Sequence, residues 1–222
     1  MPRELEQRAA AGEVTAGLLP LAGFFRLESR FERLGHFGIA VHGRANSTLL
    51  FSKRPIRQLD GATIAVTPET STTICLLRLI LEQRYELRPA SYAVGAAGDA
   101  DALLLIGDEA LRFRQANTRY PFEVDVAFEW WLWQHLPFVF AVWAVRKDVD
   151  PKDRKRLEAA LARALAVNLG RLEAISQSAA ETVRMSAADV QAYLEAFVYR
   201  LGPFEEAGIA RFKELANASG LL

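Results

Sequence analysis

Ala62-Thr63-Ile64-Ala65-Val66-Thr67-Pro68 runs directly into Glu69-Thr70-Ser71-Thr72-Thr73-Ile74-Cys75-Leu76-Leu77. The first half is a short apolar and β-branched run, the mark of a buried strand. Four hydroxyl residues then open an apolar segment whose pattern predicts a helix over 71–85. A strand that turns within a few residues into a helix is the repeating unit of an α/β fold. The turn also carries chemistry. Thr70 or Ser71 is placed to cap the helix, and Thr72 and Thr73 stand at its positive end, where N–H groups and hydroxyls attract a carboxylate or phosphate. Strand-to-helix turns use Ser and Thr for capping alone, yet four in succession exceed what one cap needs.

The same alternation extends in both directions. Strands are predicted at 15–21, 37–41, 48–51, 90–94, 102–106, 122–126 and 138–145, with helices at 2–11, 108–115 and 127–136 between them. Several of these strands are nearly continuous apolar runs, the pattern of parallel strands covered on both faces. From Pro151 onward the chain reads as helical. Asp150-Pro151 supplies an N-cap followed by proline at the first helical position, Ser186-Ala187-Ala188-Asp189 is a variant capping box, and Gly202-Pro203 stops the chain before a last helix. The fold class is therefore α/β with a helical C-terminal third. Two breaks, the Pro/Gly-punctuated stretch 52–61 and His135-Leu136-Pro137, predict two lobes. One is an inserted lobe of residues 57–137. The other combines residues 1–56 and 138–222, leaving a ligand cleft between them.

Other clusters are weaker alone. Gly107-Asp108-Glu109 follows a strand, so Gly107 permits a close approach and Asp108 either caps a helix or faces a ligand. Asn46-Ser47-Thr48 is a third hydroxyl group, beside the expected crossover. His36, His42 and His135 have no metal-ligand spacing, and only His135 earns a place among the site candidates, because it sits at a lobe boundary. Cys75 falls on the apolar face of its helix and reads as core. Glu123, Asp125 and Glu129 fit either a cleft or a surface. The aromatic group Phe128, Trp130, Trp131, Trp133, Phe138, Phe140 and Trp143 is mostly core material. There is no Gly-x-Gly-x-x-Gly, P-loop or Gly-x-Ser-x-Gly.

Composition narrows the function classes. The 222 residues are 51% hydrophobic, enough for a full core, and hold 27 basic against 27 acidic side chains. No net field draws the chain to nucleic acid or anionic lipid. A single cysteine forms no internal disulfide, and no Cys/His framework holds a metal. The most apolar window, 130–145, is interrupted by Gln134, His135 and Pro137 and is shorter than a membrane span. The N-terminus lacks the apolar stretch of a signal peptide. These features read as a soluble cytoplasmic protein with no nucleic-acid or membrane partner; oligomeric state has no signal in the sequence.

Four ordered segments resemble the chorismate dehydratase family of the futalosine route to menaquinone. They are Leu50-Phe51-Ser52-Lys53-Arg54-Pro55-Ile56, Ala65-Val66-Thr67 with Thr72-Thr73, Gly107-Asp108-Glu109-Ala110-Leu111, and Leu136-Pro137-Phe138-Val139-Phe140-Ala141-Val142-Trp143. The spacing of Asp125, Trp130 and Leu136-Pro137, and the early Gly12-Glu13-Val14-Thr15-Ala16, also resemble the family pattern. The resemblance implies a two-lobed, type II periplasmic-binding-protein-like fold and a reaction that removes water from chorismate, giving 3-[(1-carboxyvinyl)oxy]benzoate without metal or organic cofactor. It implies a small carboxylate substrate and leaves the catalytic base unassigned; with the residue reading above, the candidate substrate-binding residues are Ser47, Thr72, Thr73, Gly107, Asp108 and, from its place at the lobe boundary, His135.

Two departures stand out. The family's first strand and helix, roughly 40 residues and under a third of a typical domain, have no counterpart here. With them goes an Asn that faces the ligand near the end of that strand. Gln134-His135 stands where relatives commonly have Thr-Gly. The sister family of 1,4-dihydroxy-6-naphthoate synthases shares the fold, but Phe138-Val139-Phe140-Ala141-Val142-Trp143 fits the dehydratase better. The alternative is a non-catalytic solute-binding-like module, or a truncated inactive homologue, that binds a small organic anion.

Overall fold

The structure is a computed structural model that describes residues 2–68, 70–95 and 99–222. In chain order the elements are α1 (Pro2–Ala10), β1 (Ala16–Pro20), α2 (Leu21–Arg26), β2 (Phe31–Val41), β3 (Thr48–Ser52) and β4 (Thr63–Val66). Then come α3 (Thr72–Leu79), β5 (Ser91–Val94), β6 (Ala102–Ile106), α4 (Gly107–Ala116), β7 (Phe122–Asp125) and α5 (Val126–Gln134). The chain closes with β8 (Phe138–Arg146), α6 (Pro151–Leu169), α7 (Leu172–Val183), α8 (Ala187–Glu195), β9 (Phe197–Arg200) and α9 (Pro203–Ala218).

The strands form two sheets. The first has the order β1-β8-β2-β9, with every neighbour antiparallel. The second has the order β5-β4-β6-β3-β7; β4 runs parallel to β5 and β6, whereas β3 runs antiparallel to β6 and β7. The apolar runs at 48–51 and 138–145 therefore do not mark parallel strands. They mark strands covered on both faces. Leu49 and Phe51 of β3 pack with Leu105, Ala110 and Tyr120 on one side, while Leu50 joins the main core on the other. A continuous apolar run reports two dry faces and is silent about direction.

Strand pairing also moves the first crossing. The break at 57 assigns Thr48–Ser52 to the same lobe as β1 and β2, but β3 pairs in the second sheet, so the chain crosses at 42–47. The Pro/Gly stretch is instead a turn leading from β3 towards β4. Gln58 donates to the Pro55 carbonyl at 2.8 Å and Gly61 to that of Arg88 at 3.0 Å. The chain returns to the first sheet between α5 and β8, at 135–137.

The C-terminal third is helical apart from β9, which pairs with β2 and had no separate signal amid the helical pattern. Its helix starts follow the sequence. Asp150 accepts from the Lys152 N–H at 2.7 Å, and Ser186 from the Asp189 N–H at 3.1 Å. One core spans both sheets. At its centre Trp130, Phe138 and Phe212 meet edge to face, with centroid separations of 5.3–6.2 Å. Edge-to-face contact sets the positive rim of one ring against the negative face of another. Cys75 is buried, as its helix position predicts.

Candidate functional site

Three chain segments end at one edge of the second sheet. Thr48 at the start of β3 is in register with Ile106 at the end of β6, and β4 runs parallel to β6 and leads into α3. That topology gathers Ser47-Thr48, Ile106-Gly107 and Thr72-Thr73. Together they line one side of a cavity of about 540 Å³. The other side comes from the first sheet and the C-terminal segment: Leu18 and Pro20 of β1, Ile39 of β2, Phe140 of β8, Tyr193 of α8, and Phe197 and Tyr199 of β9. Of the six residues predicted for the site, Ser47, Thr72, Thr73 and Gly107 therefore come together.

Asp108 and His135 do not line this cavity. The Asp108 carboxylate is solvent-exposed in the first turn of α4, 4.0 Å from Arg112. His135 is exposed at the left-handed C-cap of α5 (φ 55°), with its N–H on the Trp131 carbonyl at 2.9 Å. The left-handed turn there closes a helix. Gly107 is also left-handed, at φ 60°, which favours glycine, and its N–H donates to the Ser47 carbonyl at 2.7 Å.

The run of hydroxyls divides its labour. Thr70 Oγ1 accepts from the Ile74 N–H at 3.1 Å and is a local cap. Ser71 Oγ donates to Glu6 at 2.6 Å and accepts from Arg26 at 3.3 Å. Thr72 Oγ1 accepts from the Ala22 N–H at 3.1 Å, which satisfies a first-turn donor of α2 across the cleft. Pro20, the N-cap of α2, makes no side-chain cap bond of its own. The Thr72 proton is left for another acceptor. Thr73 is buried against the cavity, and among the described residues nothing bonds its hydroxyl.

The crossover loop is fixed by Asp125. This buried carboxylate caps α5 through the Ala127 and Phe128 N–H groups at 3.0 and 3.1 Å, and accepts the Asn46 N–H at 2.7 Å. Asn46 is left-handed (φ 60°), a conformation Asn tolerates, and the next residue, Ser47, lines the cavity. Burial pushes the Asp125 carboxyl above its usual range, against the pull of its N–H donors. The other carboxylates noted in the sequence are structural: Glu129 pairs with Arg84 at 2.7 Å and accepts from Tyr85 at 2.6 Å, and Glu123 pairs with Arg114 at 2.5 Å. His42 contacts the buried Glu205 carboxylate.

Sequence reading missed the tyrosines. Tyr193, Phe197 and Tyr199 lie in the stretch read as continuous helix, and their aromatic spacing was the available signal. Tyr193 Oη lies 2.8 Å from Ser47 Oγ, and Tyr199 donates to the Leu194 carbonyl at 2.9 Å. Burial raises both phenols. For Tyr193 the Ser47 hydrogen bond opposes that rise, and the nearby Asp108 charge adds to it. Both therefore stay protonated near neutral pH and serve as donors. The described lining combines such donors with an apolar, aromatic wall.

A two-sheet α/β architecture with a ligand-sized cavity between the sheets is that of the periplasmic-binding-protein-like class. Solved structures agree on the fold. An Archaeoglobus fulgidus protein superposes with a TM-score of 0.76 at 18% identity, covering 100% of this chain and 85% of its own. The periplasmic aliphatic sulphonate binding protein of Escherichia coli does so at 0.65 and 12%, covering 99% and 79%. Residues 1–218 match the family described as menaquinone biosynthesis, and the chain belongs to that family. A curated relative, the chorismate dehydratase of Thermus thermophilus, is 34% identical over 234 residues, covering 96% of this chain and 84% of the relative. Among the described residues no helix is long and apolar enough to cross a membrane.

Proposed function

We propose that this protein dehydrates chorismate to 3-[(1-carboxyvinyl)oxy]benzoate and water, as a hydro-lyase of menaquinone biosynthesis acting in the cytoplasm. The observation that carries the reading is the 34% identity to a chorismate dehydratase across 96% of the chain. The cavity supports it. Chorismate presents one carboxylate on its ring and a second on its carboxyvinyl ether arm, and the site offers hydroxyl and N–H donors on one side and an apolar, aromatic wall on the other. A helix N-terminus and neutral donors hold an anion without a basic side chain.

In the reaction one ring C–H bond and one C–O bond break. The C–H electrons enter the ring, which becomes aromatic, and hydroxide leaves to be combined with the proton as water. The protein's part is orientation: Thr72, Thr73 and Ser47 fix the carboxylates so that the breaking bonds are held in one geometry, and Gly107, whose N–H is taken by the Ser47 carbonyl, leaves room beside them. The test is incubation of the purified chain with chorismate, followed by chromatography and mass. A product lighter by one water is expected. Tight binding without turnover would favour the solute-binding reading instead.

A further inference from the structure

We propose that Asp125 is a positioning residue of this site: one of its oxygens caps α5, the other holds the crossover at Asn46, and that second bond sets where Ser47 stands at the cavity wall. The proposal deepens the reading of the site given above and rests on it.

The two carboxylate oxygens have different partners. Oδ1 accepts from the Ala127 and Phe128 N–H groups at 3.0 and 3.1 Å, and Oδ2 accepts from the Asn46 N–H at 2.7 Å. The group is buried, and backbone N–H groups rather than a basic side chain stabilise its charge among the described residues. A buried charge is costly unless it is well bonded. The start of a helix does not require one, since Ser and Asn cap as well as Asp. What a carboxylate adds to a cap is a second acceptor oxygen. Here that oxygen leaves the helix and reaches a residue 79 positions earlier in the chain.

Asn46 stands where that hold is needed. Its φ of 60° is left-handed, a conformation few residues with a side chain adopt. Ser47 follows directly. Its carbonyl accepts the Gly107 N–H at 2.7 Å, and its Oγ lies 2.8 Å from Tyr193 Oη. The start of β3, the start of α4 and the helix α8 therefore meet at Ser47 on the cavity wall. Asp125 ends β7 in register with Leu49 of β3, which brings its carboxylate beside the crossover. Because α5 runs from Asp125 towards the second crossing at 135–137, one carboxylate links both crossings.

D125N separates the two bonds. An asparagine keeps one oxygen for the α5 cap and sets its NH2 against the Asn46 N–H, donor against donor. Its kcat for chorismate is expected to fall roughly ten- to a hundredfold, the effect of a small misplacement near the substrate. KM, and the Kd of the unreactive diacid 3-(carboxymethoxy)benzoate in isothermal titration, should change little, because Thr72 and Thr73 are untouched. D125A loses both bonds and should lower the melting temperature as well. Amide NMR gives a readout independent of turnover. The Gly107 amide, bonded to the Ser47 carbonyl, should shift in D125N together with that of Asn46, while those of Ala127 and Phe128 stay. An unmoved Gly107 amide, an unchanged kcat or a loss confined to KM would overturn the proposal. So would rapid hydrogen exchange at Asn46 in the wild type, a measurement that stands even if D125N fails to fold. A shifted Gly107 amide in D125N, with no chorismate turnover by the wild type, would uphold the placement of Ser47 and reject the dehydratase reading.

Discussion

Thr72 and Thr73 are adjacent in sequence, yet their substitutions should separate. Thr72 Oγ1 is the acceptor for the Ala22 N–H across the cleft, so Thr72→Val leaves a buried donor unpaired and should cost about 1–3 kcal/mol of stability as well as ligand affinity. Thr73→Val breaks no hydrogen bond among the described residues, so it should weaken diacid binding while shifting the melting temperature little. Thermal melts and titrations on both variants decide this, and equal destabilisation would count against the division. Such roles were partly legible. The sequence marks an excess of hydroxyls at 70–73, because one helix start needs only one cap. It does not show that Ser71 serves Glu6 or that Thr72 serves α2, since those partners are brought up by the fold. Asp125 is similar: a carboxylate readable as cleft or surface proves to be the buried anchor of the crossover.

At the scale of elements, α9 lies against the turn that returns the chain to the first sheet. A Cβ on Gly208 would stand 2.3 Å from the Pro137 carbonyl oxygen. Gly→Ala inside a helix ordinarily gains up to about 1 kcal/mol, so the sign of Gly208→Ala is informative. Overpacking against backbone should reverse that gain and destabilise by about 1–3 kcal/mol or more in urea denaturation. A stabilised variant would show that α9 is free to move off the turn. Helix starts at Asp150 and Ser186 were readable because a cap is a contact between neighbours in sequence. β9 was not, because a four-residue strand is defined by its partner β2 and carries little periodicity of its own.

For the whole molecule, the cavity is walled by both sheets and by the C-terminal segment, so a ligand there should stabilise the protein as one unit. At a hundredfold excess over Kd, binding to the folded state adds about 2.7 kcal/mol, which is roughly 5–11 °C for a chain of this length. 3-(Carboxymethoxy)benzoate should therefore move a single calorimetric transition upward. Two transitions, only one of which moves, would contradict a shared site. The amino-acid order alone carried the alternation of strands and helices, the caps, the hydroxyl-rich start of α3 and the family resemblance, because each is written in local spacing. Strand direction, the crossing at 42–47, the exclusion of Asp108 and His135 from the cavity and the arrival of Tyr193 beside Ser47 were decided by tertiary structure. Those features depend on which strands pair and which surfaces meet, for Ser47 and Tyr193 at a sequence separation of 146, and no local pattern encodes that.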